Sequence, residues 1–316
     1  MALTKSDIPL LLTAGLQTAF MTGYSEYVAG IYPLICTEIK SNKSLETYDW
    51  LGATPKMQEW ISERAPKGML EHNFTVKNKD FEASIKVDRN AIEDDLYGQV
   101  TLRAHQLGEE AKRYLDEYIS TTVANGTVNA CYDGQNFFST SHSEGASGTQ
   151  SNSPSASASY KADTSAHINA GARLAISAMQ LFKNDQGKLA GVNPTHVMVP
   201  TALQWIFQET FDPNVIGASG GSSVKDVSLK GRLKIIVNPY LTTDGSDVTN
   251  SVYYYLDLSK SVKPFIFQNR KEPEFVALDK PDDYGYFMKK EILYGVDMRF
   301  NMAYGDWRLC YRVLGA

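Results

Sequence analysis

The sequence predicts an α+β fold, because strand patterns and helix patterns occupy separate stretches of the chain instead of alternating regularly. Three observations indicate this. Residues 72–88 alternate apolar and polar side chains, residues 96–124 carry an apolar stripe at helical spacing, and the chain from about residue 250 is again rich in strand patterns. With 316 residues, the chain can hold two domains or one large elaborated domain with a sizeable core.

The composition argues against several classes of protein. The formal net charge is −5, whereas a dedicated nucleic-acid binder usually shows a basic excess. Cys36, Cys131 and Cys310 are far apart and odd in number, so no zinc spacing or disulfide framework is indicated and a reducing cytoplasm is expected. The apolar stretch at residues 8–12 is far shorter than a membrane span and follows no cluster of positive charge, so neither a membrane helix nor a signal peptide is expected.

The first residues predict an arm with one short amphipathic helix within residues 4–30, ending near Gly23 and Gly30. Residues 31–68 show no clean period and predict extended or irregular chain, anchored by Trp50 and Trp60. The apolar residues at helical spacing in the arm are Leu11, Leu12, Leu16, Phe20 and Tyr24.

Residues 72–88 give the strongest strand pattern in the chain. Two alternating runs flank the turn-like Asn78-Lys79-Asp80, which predicts a two-stranded hairpin with one apolar face. A hairpin of this size is at best marginally stable alone, so we expect it to lie on the body of the protein or on a neighbour. The apolar face is formed by Phe74, Val76, Phe81, Ala83, Ile85 and Val87.

A long helix is predicted over residues 96–124, because apolar residues recur at spacings of three, four and seven opposite a charged face. Acidic residues at 93–95 suit its start, and Asn125-Gly126 suits its end. At the rise of an α-helix it would span about 43 Å, which is long for a compact domain and typical of a structural strut.

The middle of the chain predicts mixed elements. Residues 139–165 are rich in Ser, Ala and Gly and predict an exposed loop without a core. A second amphipathic helix is expected over about 165–183, with Asp163 or Thr164 as its cap. Further along we expect a buried strand at 196–200, a helix at 201–211, a flexible loop at 217–223, and strands at 233–241 and 251–258.

One nucleophile motif occurs at Gly217-Ala218-Ser219-Gly220-Gly221, which matches the G-x-S-x-G elbow. In α/β-hydrolases the histidine follows the serine, but all five histidines of this chain precede Ser219, so that triad order is excluded. Another triad order stays open in principle. The polar flanks favour a flexible loop.

Cys131, Asp133 and His142 have the residue types of a thiol nucleophile and its base. Their segment has the character of a loop, and no orienting group stands out. We therefore favour a partly buried cysteine beside a turn at Asp133-Gly134.

No metal or cofactor motif is present in the sequence. The acidic series Glu93-Asp94-Asp95 reads as a solvated helix start, and Asp282-Asp283 reads as part of a turn. There is no H-E-x-x-H, EF-hand or phosphate-binding glycine series. The sequence therefore predicts no catalytic, cofactor or metal site.

A series of residues spread over nearly the whole chain carries a family resemblance through its order and spacing, although no single motif in it is diagnostic. The series comprises Trp50-Leu51-Gly52 with Pro55 and Trp60, the alternating segment from Phe74 to Val87, Asp133-Gly134 with Phe137-Phe138 and His142, Val197-Met198-Val199-Pro200, Gln268 with Arg270 and Pro273, Tyr284-Gly285, Gly295-Val296 and Trp307-Arg308. Together they resemble the major head subunits of Mu-like phages and prophages, a family that is taken to share the HK97-like fold of tailed-phage capsids.

The resemblance implies a layout of the chain. An N-terminal arm would reach across neighbours, an extended hairpin called the E-loop would overlap an adjacent subunit, and a spine helix would support a peripheral domain. The axial domain would meet its copies around five- and six-fold axes. The implied boundaries are 1–45 for the arm, 46–95 for the E-loop region, 96–126 for the spine helix, 127–245 for mainly the axial domain, and 246–316 for the returning peripheral β-sheet.

The resemblance also implies a function. The chain would be a structural major capsid protein, not an enzyme, that self-assembles into an icosahedral head shell around double-stranded DNA in the host bacterial cytoplasm. Its partners would be its own copies in hexamers and pentamers, a separate scaffold protein, a head protease, a portal and, through weak non-specific contact, the packaged DNA. Phe74, Val76, Phe81 and Ile85 of the hairpin are expected to make assembly contacts.

Two other functions stay open. An encapsulin-like nanocompartment uses the same fold to hold cargo enzymes, and its content would distinguish it from a phage head. A soluble hydrolase would use Ser219 or Cys131, and an activity-based probe would label one of those residues.

Overall fold

The computed structural model describes residues 8–48, 74–88, 90, 97–212, 229–241, 252–280 and 283–315. It contains helices and strands in separate layers, which confirms the predicted α+β class. Among the described residues, no helix is long and apolar enough to cross a membrane. The helices are α1 (Ile8–Glu26), α2 (Tyr32–Ile35), α3 (Tyr97–Ala124), α4 (Ser165–Leu181), α5 (Gln204–Phe211) and α6 (Tyr284–Lys289).

The strands form two four-stranded sheets and one short ribbon. Sheet 1 has the order β1-β8-β9-β4, sheet 2 has the order β10-β7-β5-β6, and β2 pairs only with β3. The buried apolar side chains of both sheets and the covering helices form one continuous cluster. The strands are β1 (Cys36–Lys40), β2 (Leu45–Thr47), β3 (Thr75–Lys77), β4 (Lys79–Asp88), β5 (His196–Pro200), β6 (Lys234–Asn238), β7 (Val252–Leu256), β8 (Phe265–Leu278), β9 (Glu291–Tyr304) and β10 (Cys310–Leu314).

The predicted hairpin at residues 72–88 is wrong in its pairing. β3 pairs antiparallel with β2, and β4 pairs antiparallel with β9, so the two runs belong to different sheets. Asn78 between them is buried, and its side-chain amide donates to Ser41 Oγ at 3.0 Å and to the Lys43 carbonyl at 2.9 Å. The expected solvent turn is therefore a buried corner, since alternation along a strand identifies its apolar face but not its partner strand.

Helix α3 confirms the predicted long helix closely, because its apolar stripe gives it a continuous buried face. Its 28 residues span about 42 Å. Helix α1 confirms the predicted helix in the arm, but it packs along α3 of the same chain. A Cβ at Gly23 would lie 2.1 Å from the His105 carbonyl oxygen, and one at Gly108 would lie 2.2 Å from the Phe20 carbonyl oxygen. Only glycine permits this close backbone approach.

Residues 139–165 are not the exposed loop that their composition predicts. His142, Ser147, Asn152 and Ser153 are buried there. Small polar side chains allow this because they satisfy the backbone groups of the segment by hydrogen bonds, so burial does not require apolar residues. The prediction of an exposed loop over residues 139–165 is therefore wrong.

The remaining elements of the middle segment follow the sequence closely. Helix α4 begins after Thr164, whose hydroxyl accepts a hydrogen bond from the His167 N–H, as the predicted cap requires. The strand at 196–200 and the helix that follows it are also confirmed.

The last stretch, 246–316, divides between both sheets. Its strands β8 and β9 belong to sheet 1, but β7 and β10 belong to sheet 2, where β7 pairs with β5 and β10 pairs with β7 at the edge. The expectation that the whole stretch returns to one sheet is therefore wrong. The residues Trp50, Trp60, Glu93, Ser219 and Asp282 lie outside the described residues.

Candidate functional site

Cys131, Asp133 and His142 come together, as their residue types suggested. The Cys131 thiol donates to Asp133 Oδ1 at 2.9 Å, and His142 Nδ1 lies 2.6 Å from Asp133 Oδ2. The Asp133 carboxylate is thus the centre of the cluster. The side chains of His142 and Asp133 are 0% and 1% exposed, and Cys131 is buried.

Local backbone geometry places these three residues. The chain turns tightly after Cys131, with Gly134 at φ 80°, a conformation that favours glycine. Asp133 Oδ1 also accepts the Gln135 N–H at 3.0 Å, which fixes the turn. His142 is positioned by a backbone bridge to Gln150. The predicted turn at Asp133-Gly134 is therefore confirmed.

The cluster does not have the chemistry of a thiol enzyme. Burial raises the pKa of the Cys131 thiol far above its ordinary value, and the nearby Asp133 charge raises it further. A protonated, buried thiol is neither a nucleophile nor reachable by a substrate. Burial by itself would raise the pKa of Asp133, but hydrogen bonds from His142 and Cys131 outweigh it and lower that pKa.

The same three residues are the group of potential metal ligands found among the described residues, with ligand atoms within 4.8 Å of one another. The thiol and the imidazole each contact the carboxylate directly, at 2.9 and 2.6 Å. A Zn²⁺ ion would have to stand about 2.0–2.3 Å from every ligand atom. Direct contacts already satisfy these groups, so we interpret them as a hydrogen-bonded cluster and not as metal ligands.

A second buried polar group adjoins the first through Trp307, whose indole ring stacks on the His142 imidazole at 4.0 Å and 3°. Its Nε1 donates to Glu144 Oε1 at 2.8 Å, and the Tyr132 hydroxyl donates to the same oxygen at 2.7 Å. Arg308 forms an ion pair with Glu144 and another with Asp306. Burial alone would lower the Arg308 pKa, but Asp306, Tyr132 and Glu144 raise it above its ordinary value.

The long helix α3 carries a different kind of polar contact. Asp116 is 2% exposed and accepts backbone N–H groups from Gly30, Ile31 and Tyr32, at 2.9, 3.1 and 2.8 Å. One turn further along, Ser120 exchanges hydrogen bonds with Asn238, the last residue of β6 in sheet 2. Buried side chains of α3 therefore fix both the N-terminal segment and sheet 2. Nothing in the sequence pattern singled out either residue.

The four expected assembly residues all contact the body of their own chain. Val76 is buried, and Phe74 is half-buried against the core. Phe81 stacks on Phe300 with ring centroids 4.3 Å apart. Ile85 is half-buried and lines a groove of about 650 Å³ beside α3. Their role in assembly stays a prediction.

A second groove, of about 330 Å³, lies beside the first between α3 and sheet 1. The two grooves share Leu107 and Glu110. The second is lined by Phe81 and Ala83 of β4 and by Val296 and Met298 of β9. The predicted apolar face of residues 72–88 therefore forms one wall of these grooves, and the long helix α3 covers it in part.

The sequence did not predict the β2–β3 ribbon. Thr47 and Thr75 are paired, and the Tyr48 N–H donates to the Phe74 carbonyl at 2.8 Å, so the ribbon joins two stretches of chain that are distant in the sequence. Gln268 of β8 fixes this stem: it accepts from the Tyr48 hydroxyl at 2.6 Å and donates to the Val76 carbonyl and to Asn78 Oδ1. The alternation over residues 45–47 is too short to identify a strand by itself.

Comparisons with known proteins agree over the full chain. A family model described as "Mu-like prophage major head subunit gpT" matches residues 10–169, 156–241 and 242–315. The chain is 27% identical over 316 residues to the Mu-like prophage FluMu major head subunit of Haemophilus influenzae, covering 76% of that protein. It is 25% identical over 315 residues to the major capsid protein of Escherichia phage Mu, again covering 76%.

Solved structures agree with the sequence relatives. The chain superposes on a subunit from the procapsid of bacteriophage JBD30 with a TM-score of 0.59 and 26% identity, over 98% of this chain and 75% of that one.

Proposed function

This chain belongs to the family of Mu-like prophage major head subunits, and on that premise we propose which of its surfaces build the head shell. It is a structural major capsid protein with the HK97-like fold. In a closed symmetric shell every contact repeats many times, so interfaces of modest strength produce a stable particle. The stability of the shell therefore depends on the contact between two neighbouring copies of the chain.

The β2–β3 ribbon is the base of the segment that crosses to a neighbouring subunit. The observation that carries this proposal is the paired stem at Thr47 and Thr75, which is fastened to sheet 1 through Gln268. These bonds hold the stem in place against sheet 1, and the intervening residues 49–73 lie outside the described residues. This revises the expected E-loop, whose root is β2–β3 and not the run from β3 to β4.

The grooves beside α3 are the surface on which a neighbour rests. Their apolar wall includes Phe81 and Ile85, which are half-buried in the single chain. In the shell, a neighbouring subunit would cover the exposed part of both side chains. Burial of further apolar surface is the main favourable contribution to such contacts. In this proposal Phe74 and Val76 act indirectly, because they support the stem.

We assign one domain to each of the two sheets. The peripheral domain comprises sheet 1 with α1 and α3, and the axial domain comprises sheet 2 with α4 and α5. Helix α3 connects them through Asp116 and Ser120. The axial domain is the part that meets its copies around the symmetry axes.

The partners of the chain are first its own copies. A separate scaffold protein, a head protease and a portal would assist assembly in the host bacterial cytoplasm, and packaged DNA would contact the inner surface weakly. The net charge of −5 supports weak DNA contact, since a strongly basic surface would bind packaged DNA tightly.

The alternative functions are less well supported. Family membership favours a phage head over a nanocompartment, which the particle content would decide: DNA and a portal in one case, a cargo enzyme in the other. A thiol hydrolase is disfavoured by the buried and protonated Cys131.

Electron microscopy and sedimentation of the chain, expressed with and without its scaffold, test the shell function. Large closed particles are expected. A stable monomer under every condition, including co-expression with scaffold, would contradict the proposal.

A matched pair of substitutions tests the groove. Ser84 and Ile85 are neighbours on β4 that face opposite sides of the sheet, and Ser84 is exposed. We expect Ile85→Asp to abolish particles while the monomer still unfolds cooperatively, and Ser84→Asp to assemble normally. Equal loss of folding and assembly in Ile85→Asp would mean that Ile85 serves its own chain only.

A further inference from the structure

The second groove beside α3 combines an apolar floor with an acidic lining. Three acidic residues line it, Glu110 and Glu117 on α3 and Glu82 on the edge strand β4, and among its described lining residues there is no lysine or arginine. A segment that fills this groove well would therefore carry both an apolar side chain and positive charge. The floor is formed by side chains of β4 and β9: Phe81, Ala83, Val296 and Met298.

The cations that lie closest to this lining are already engaged. Arg113 forms an ion pair with Glu110, and the Lys79 amino group donates to the Tyr118 hydroxyl at 2.9 Å. The Glu117 carboxylate forms no salt bridge with any described residue. In the single chain, the α3 side of the groove thus keeps an uncompensated negative charge.

The tip of the β8–β9 hairpin has the opposite character. This tip, which we define as α6 with Lys290, carries Met288 at 62% exposure next to the exposed Lys289 and Lys290. Neither lysine forms a salt bridge with a described residue. Nearby carboxylates have other partners, since Asp283 accepts a backbone N–H in a local turn and Glu291 pairs with a lysine of β4.

The backbone at Lys290 is a second unusual feature of the tip. Its φ of 55° is the one positive value at a non-glycine position among the described residues. Glycine adopts this left-handed conformation without steric cost, whereas lysine does not. The Lys290 N–H donates to the Gly285 carbonyl and ends α6. A lysine at a position that suits glycine indicates a use for its side chain.

We propose that the tip of one copy docks in the second groove of a neighbouring copy, with Met288 on the apolar floor and the two lysines near Glu110 and Glu117. This inference rests on the shell function proposed above and names the segment that covers this groove. A methionine side chain adapts to irregular apolar surfaces. A lysine lays its aliphatic stem on such a surface while its ammonium group stays beside carboxylates. A groove of about 330 Å³ holds a few side chains, which suits a protruding tip.

The contact has to join two copies, because the tip cannot reach the groove of its own chain. Strand β9 runs from the tip to the groove, and Val296 and Met298 lie six and eight residues beyond Lys290. At the rise of a β-strand this separation is about 20–27 Å. Tip and groove are also different surfaces, so the contact is heterologous, and heterologous contacts close into rings when the rotation between copies permits it.

Crosslinking in assembled particles tests the contact directly. The native cysteines are all buried, so a short bifunctional thiol reagent reaches only introduced ones. Met288→Cys with Ala83→Cys should give covalent multimers on a denaturing gel. The matched control is Met288→Cys with Ser84→Cys, because Ser84 is exposed on the opposite side of β4, and it should stay monomeric. Particles of the first variant that remain unlinked, or that link no more than the control, would overturn the docking and leave the shell function standing.

Lys290→Gly separates assembly from folding. Glycine suits the left-handed backbone, so the thermal unfolding temperature of the subunit should stay the same or rise. Loss of one exposed cation should raise the protein concentration that assembly requires by about two- to fivefold. Unchanged assembly in Lys290→Gly and also in Lys289→Gln would contradict the proposal.

Exchanging charges gives a readout that does not depend on cysteines. Lys289→Glu and Glu117→Lys should each impair assembly, and their combination in one chain should restore it, since every copy supplies both a tip and a groove. A double variant that assembles no better than the single ones would refute this pairing, and this result decides if the cysteine variants form no particles. A wild-type chain that never forms particles would instead refute the shell function, and the docking with it.

Discussion

The N-terminal segment and the segment of residues 128–157 are each fastened by one buried aspartate, but the hydrogen bonds that the two carboxylates accept differ in kind. Asp116 receives three backbone N–H groups from residues 30–32. Asp133 receives a thiol and an imidazole. The first set of donors belongs to the backbone and the second set to side chains. The comparison teaches that a buried aspartate can hold a segment through backbone donors, which most substitutions leave in place, or through side-chain donors, which a single substitution removes.

The largest expected effect comes from the ion pair next to the histidine. Arg308→Met would leave the Glu144 carboxylate buried without its cation, and we expect the free energy of unfolding to fall by about 3–5 kcal/mol. Chemical denaturation measures this. The double variant Arg308→Met with Glu144→Gln should recover much of the loss, because it removes the uncompensated charge. If the double variant is no more stable than the single one, the ion pair is not what stabilises this region.

The next largest effect is expected at Asp116, the aspartate that holds the N-terminal segment. Asp116→Ala would leave the N–H groups of Ile31 and Tyr32 without an acceptor in a buried site, which should cost about 3 kcal/mol of unfolding free energy. Asp116→Asn keeps one acceptor oxygen and should cost about half as much. Chemical denaturation measures both losses. An Asp116→Asn variant as unstable as Asp116→Ala would show that the acceptor oxygen is not what holds the N-terminal segment.

A smaller effect is expected at Gly108, because the N-terminal helix α1 also depends on close backbone contact with α3. Gly108→Ala would place a Cβ against the Phe20 carbonyl and force α1 away from α3, at a cost of about 1–3 kcal/mol. The control is Gly98→Ala, where nothing lies within 4 Å of the added Cβ. It should be neutral or slightly stabilising, since alanine favours helix. Equal stability of the two variants would mean that α1 can shift without penalty.

The smallest effect concerns the Asp133 carboxyl at acidic pH. The folded-state pKa of Asp133 is lowered by its hydrogen bonds, so its ionised form stabilises the fold above the unfolded-state pKa of about 3.9 and stops doing so as the pH falls through the folded-state pKa. We expect the difference in stability between wild type and Asp133→Asn to narrow below about pH 4. A constant difference down to pH 2 would contradict this sign.

Local patterns in the sequence were sufficient for most of the elements. The stripe over residues 96–124 predicts α3 almost to the residue, and the cap at Thr164 predicts the start of α4. Sequence order and spacing also carried the resemblance to phage head subunits, which the family match confirms. These features depend on spacing of three to seven residues along one segment, which the sequence states directly.

Strand pairing and polar burial, in contrast, were decided by the tertiary structure. The segment from Phe74 to Val87 shows its apolar face in the sequence, but only the fold separates its two halves between β2 and β9. His142 and Asn152 sit in a serine-rich tract that composition assigned to solvent, but both are buried. The Asn152 amide binds the distant backbone carbonyls of Trp307 and Cys310, and the His142 ring contacts the side chains of Asp133 and Asn152. A residue carries information about its own preferences, but its hydrogen-bond partners come from distant segments: one partner of Asn152 lies 158 residues away, and only the folded chain brings the two together.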